Sequence, residues 1–199
     1  QIEGALLESG NLMVLKMSAG SRLAWIALAW LATSRVLALS FVPQEGEFAL
    51  TPGMVGEQAN PAVSLGSEGG FVAWQDNAAD GDGTGISARR INSSLSPVAA
   101  QTFRVNQQRA GNQENPAVAL LSDGGAVLAW DGGAPSHHDV FARVLSAEGV
   151  FLTGDIRVSS YLNGDQSEPS IAVLKDGGVV VVWTSDGQDG HMKGVYGQR

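Results

Sequence analysis

Cysteine is absent from the 199 residues, so neither a disulfide framework nor a thiolate metal site enters the account. Basic side chains are few, 12 Lys and Arg against 20 Asp and Glu. The resulting net charge of −8 leaves no Lys/Arg-rich face, which excludes nucleic acid as a partner. Long apolar runs are missing too. LAWIALAWLA (23–32) stops well short of the about twenty residues a membrane span needs. No G-x-S-x-G elbow and no H-E-x-x-H pair occurs. Glycine, by contrast, is abundant at 26 residues, as a chain with many tight turns requires.

The dominant positive feature is an internal repeat. GEQANPAVSLGSEGGFVAW (56–74), GNQENPAVALLSDGGAVLAW (111–130) and GDQSEPSIAVLKDGGVVVVW (164–183) share one pattern. Pro61, Pro116 and Pro169 are 55 and 53 residues apart, and Trp74, Trp130 and Trp183 are 56 and 53 apart. Such a period describes units that share a core with their neighbours and are not independent domains.

The chain before the repeat reads differently. Residues 1–16 fit no element and are expected to be non-native upstream translation, with Met17 or Met13 as the start. Residues 17–40 combine one early positive charge, the short apolar run and the small residues Ala38 and Ser40. That is the pattern of a secretory signal peptide, with a signal anchor as the alternative. The expected address is therefore secreted or cell surface.

Each unit parses into four short strands. PAVSL, PAVAL or PSIAVL comes first, then a Gly-rich turn, then FVAW, AVLAW or VVVVW. The second strand is apolar without alternation, as in a strand covered on both faces. A Gly/Asp-rich loop leads to ISARRIN (86–92), VFARVLS (140–146) or VYGQR (195–199), and FRVN or IRVS follows. Four antiparallel strands at a 53–55-residue period predict an all-β, β-propeller-like repeat. The expected parts are a last strand of a preceding or closing blade at 47–58 (Phe48–Thr51), blades at 59–111 and 112–164, and a truncated blade at 165–199. They make an incomplete ring, and the chain reads as a fragment whose partners include further blades of the same protein.

The units resemble propeller-type repeats of large exported bacterial proteins, adhesin-like or associated with calcium-binding repeats, whose unit reads roughly GDQxxPxVAxLxDGGFVVxWxSxGQDGxxxGIYxQRF. The third unit carries the resemblance best, through Gly164, Asp165, Gln166, Pro169, Asp176, Trp183, Gly187, Gln188, Asp189, Gly190, Tyr196, Gln198 and Arg199. The second departs from it at DGGAPSHHDV, which lacks the GQDG loop. The resemblance implies a repeat type and no particular activity.

Repetition also sorts residues. What every unit has, every unit needs, so Trp74, Trp130 and Trp183 are expected as anchors between blades. Gln58, Gln113 and Gln166 are expected to bond backbone in the turn before each blade. Asp76, Asp80 and Asp82, with Asp186 and Asp189, lie on Gly-rich loops. They fit either a calcium site or a solvated turn, and the frequency of such turns favours the second. His137 and His138, unique to the second unit, read as a surface-loop pair for which spacing supplies no third zinc ligand. With no carboxylate in PAVSL, PAVAL or PSIAVL, the expectation is a non-catalytic binding or scaffolding module for a protein or glycan, and no enzyme. Part of a carbohydrate-active propeller enzyme, with its catalytic groups in blades beyond this chain, is the alternative.

Overall fold

The computed structural model describes residues 46–96 and 102–199, so the expected leader at 17–40 lies outside the described residues. Eleven strands form among them, arranged in three antiparallel sheets. The first sheet is β1 (Gln58–Gly66), β2 (Gly69–Asp76), β3 (Gly85–Asn92) and β4 (Phe103–Arg104) in that order. The second is β5 (Asn112–Leu120), β6 (Ala126–Ala134), β7 (His137–Leu145) and β8 (Ile156–Arg157). The third is β9 (Gln166–Val173), β10 (Val179–Asp186) and β11 (Lys193–Gln198). The described residues are therefore all-β, with propeller-like sheets packed in sequence order. Among the described residues no helix is long and apolar enough to cross a membrane.

The apolar run of β6 has its reason in the middle sheet, which is buried on both faces. Ala126, Leu128, Trp130 and Leu145 meet Phe71, Ala73, Ile86 and Ala88 of the first sheet. From the opposite face Val127, Ala129, Val140 and Ala142 meet Val181 and Trp183 of the third. Alternation along a strand sends neighbours to opposite faces, and here both faces are dry. Buried Arg143 adds a polar tie: Nη1 donates to the Val105 carbonyl at 2.5 Å, and the guanidinium lies 3.5 Å from the centre of the Phe151 ring.

The turn between first and second strands uses its two glycines for different reasons. Gly124 and Gly177 have φ of +85° and +82°, which side chains other than glycine rarely adopt. Gly125 is needed for space: a Cβ there would lie 2.5 Å from the Leu145 carbonyl oxygen. Of each pair only the first glycine has a positive φ.

Two expected boundaries change. Phe48–Thr51 forms no strand; residues 46–57 are turns, bends and irregular backbone. That segment instead covers the outer face of the first sheet, where Leu50 and Met54 pack on Val72, Trp74 and Ile91 and the Leu50 carbonyl accepts from Arg89 Nη1 at 2.6 Å. The first strands also begin three residues before the prolines, at Gln58, Asn112 (four before) and Gln166. Each carries a bulge at its proline, since the register breaks between Ala59 and Ala62, between Glu114 and Ala117, and opposite Val182–Thr184. Proline has no N–H for the ladder, and a bulge is where a strand tolerates that.

Candidate functional site

The residues before those prolines define a row along one end of the first strands. Asn60, Asn115 and Glu168 all have left-handed backbone, with φ of 47°, 50° and 56°. The side chains that follow Trp74 and Trp130 serve the row of the next sheet. Gln75 Oε1 accepts from the Asn115 backbone N–H at 3.2 Å, and Asp131 Oδ1 accepts from the Glu168 backbone N–H at 3.0 Å. Asn60 Nδ2 donates to Gln75 Oε1 and, at 3.4 Å, to Asn115 Oδ1. Asn115 Nδ2 donates to Asp131 Oδ1 at 3.0 Å, and Thr184 Oγ1 to Glu168 Oε2 at 3.4 Å. A continuous polar row thus crosses all three sheets at the start of their first strands.

Within that row the second sheet is different. Asp131 is 1 % exposed, and its Oδ2 lies 3.1 Å from His138 Nδ1. Burial pushes the Asp131 carboxyl above its ordinary range, against the hydrogen bonds from Asn115, His138 and Glu168 that favour its charged form. Glu114, the register partner of Asp131 on β5, completes a group with His138. The sequence placed His137 and His138 in a surface loop. Instead β6 runs on to Ala134 and turns tightly through Pro135 and Ser136, so both histidines belong to β7. The signal was the shortening of the second unit: without the GQDG loop, the hairpin closes directly and carries His138 onto Asp131.

The other singled-out residues fall into place as follows. Gln58, Gln113 and Gln166 donate through Nε2 to the carbonyls of Val55, Ala110 and Asn163, each three residues back, at 3.0, 3.2 and 3.2 Å. Gln166 Oε1 also accepts from Trp183 Nε1 at 3.2 Å. Because Gln166 is fully buried, Gln166→Ala strands that indole N–H, and urea unfolding is expected to show a loss of about 1–3 kcal/mol. Trp74, Trp130 and Trp183 are all buried, each against the sheet or segment preceding its own.

Among the loop aspartates, Asp76 accepts from Trp74 Nε1 and the Ala78 N–H, at 3.3 and 2.9 Å. Asp80 accepts from Asn106 Nδ2 and the Asp82 N–H, and Asp82 from the Gly111 N–H. Asp189 accepts from the His191 N–H at 3.1 Å, while Asp186 is exposed at the end of β10. These bonds tie each loop to itself or to the next sheet. Among the described residues the group of three metal-ligating side chains within reach of one another is Glu114, Asp131 and His138, with none of the five loop aspartates in it.

No family model matches the chain, and no curated protein matches it. Among solved structures it is similar to an endo-1,4-beta-xylanase from Bacteroides thetaiotaomicron, at 11 % identity and a TM-score of 0.49, covering 76 % of this chain and 57 % of that one. An endo-arabinase from the same organism shows 13 % identity and a TM-score of 0.48, with 79 % and 60 % covered. A thermostable family-43 glycoside hydrolase shows 14 % identity and a TM-score of 0.41, with 65 % and 49 % covered. The chain thus spans less than two thirds of each of these.

The reading as a non-catalytic binding or scaffolding module, and as no enzyme, is corrected here. The premise of that reading fails in the molecule itself. It took the first strands to be free of carboxylates, yet β5 includes Glu114 and β9 includes Glu168, because both strands start before their prolines.

Proposed function

We propose that this chain is part of a carbohydrate-active propeller enzyme whose sugar-binding face is the polar row at the start of β1, β5 and β9. The observation that carries the reading is Glu168. Where the other two sheets have Asn60 and Asn115, the third has an exposed carboxylate in the same left-handed conformation, pinned through its backbone N–H by Asp131. Asparagine tolerates that backbone, whereas glutamate adopts it at a cost that such positions bear mainly at functional sites.

Cleavage of a glycosidic bond uses two carboxyl groups facing each other across the bond. Glu168 supplies one. The other comes from a sheet packed on the open face of the third, where Val182 and Val195 are 39 % and 80 % exposed. Their counterparts in the second sheet, Ala129 and Val140, are fully covered by the third sheet. On this reading further blades of the same protein continue the row of sheets from that face.

The test is cleavage of xylan and arabinan oligosaccharides by the full-length protein and its Glu168→Gln variant. Loss of about 10²-fold or more in kcat with an unchanged melting temperature supports the reading. Full activity in the variant, or no cleavage of any oligosaccharide by the unsubstituted protein, rejects it.

A further inference from the structure

We propose that the second sheet holds a divalent transition metal ion, of the zinc class, on Glu114, Asp131 and His138. The three ligands come from three adjacent strands, β5, β6 and β7, whose pairing fixes them before any ion arrives. Each offers one ligand atom, and these atoms lie within 4.8 Å of one another. The 3.1 Å between Asp131 Oδ2 and His138 Nδ1 is near the roughly 3.3 Å edge of a tetrahedron built on zinc bonds of about 2.0–2.1 Å. An ion seated there takes the place of the proton that the carboxylate and the imidazole otherwise share.

The donor set chooses the metal class. Two carboxylates and an imidazole without sulfur suit zinc or manganese and not a thiophilic ion. Calcium is disfavoured, since it asks for about six to eight oxygens and a flexible cage. Asp131 is already oriented as an outer shell would orient it, with Oδ1 accepting from Asn115 Nδ2 and from the Glu168 N–H. Asp131 is buried at the back of the group, and Glu114 and His138 are only partly so, which gives the ion an entry path from their side. The repeat does not require this group. The positions of Glu114 and Asp131 are Ala59 and Gln75 in the first sheet, and Ser167 and Thr184 in the third, so three ligands meet in the second alone.

The inference stands apart from the glycoside reading, because metal binding is measured directly and needs no turnover. The full chain, stripped with EDTA, is titrated with Zn²⁺ by calorimetry alongside His138→Gln, and alongside His137→Gln and His191→Gln as controls. One equivalent per chain is expected, weakened by at least about 100-fold in His138→Gln and unchanged in both controls; loss of a mere second-shell partner already costs about 10–100-fold. Cobalt loaded in place of zinc is expected to give the intense visible bands of a tetrahedral site, lost in the same variant. Should His138→Gln fail to fold, Glu114→Gln on the more open side gives the same reading. Absence of stoichiometric binding overturns the proposal and leaves Asp131–His138 as a hydrogen-bonded pair. Binding that survives His138→Gln, or that disappears with His137 or His191, overturns it equally.

Discussion

Replacing Trp130 by alanine is expected to remove about 3–5 kcal/mol of folding stability, as read from equilibrium urea unfolding. The side chain is 1 % exposed and sits between the first and second sheets with Phe71, Ile86, Leu128 and Leu145. It also stacks on Phe141, with ring centres 6.1 Å apart and planes 23° from parallel. Removing it opens a cavity that β-sheets on both sides cannot collapse, since their ladders fix the backbone spacing. Against a total stability of typically about 5–15 kcal/mol, that loss brings the chain near its limit. Trp74→Ala should cost less. Its face is covered by Leu50 and Met54 from a segment without strands, which can settle into the space. Equal losses at the two positions would show that the sheet-to-sheet interface is no more rigid than the covering segment.

Replacing Glu168 by asparagine is expected to separate activity from stability. The substitution gives the third sheet the residue that the first and second have at the same left-handed position. Relief of backbone strain should stabilise the fold by about 1 kcal/mol, the low end of what such conformations cost. On the proposed glycosidase reading, cleavage by the full-length protein should fall by about 10²-fold or more, because one of the two carboxyl groups that act across the glycosidic bond is gone. Glu168→Gln keeps the strain and loses the charge, so it should lose activity without gaining stability. The pair distinguishes a carboxylate retained for function from one retained for structure. A Glu168→Asn protein that is less stable and fully active would assign Glu168 to the fold.

The sheet architecture was legible in the repeat alone. Proline and tryptophan at a fixed spacing, Gly-rich turns and unbroken apolar second strands repeat because each unit packs against its neighbours in the same way. Gln58, Gln113 and Gln166 were legible for the same reason, since a turn that recurs needs the same hydrogen bonds each time. Residues that differ between units carry no such internal control. That Glu114 and Glu168 lie within the first strands depends on bulges at Pro116 and Pro169, and a bulge is a matter of register that local pattern does not encode. That His138 meets Asp131 depends on where the β6–β7 hairpin turns, and a shift of one residue would have sent its side chain to the other face. Repetition wrote the scaffold into the chain, and the register between paired strands, set by bulges and hairpin turns, decided which of its charged groups came together.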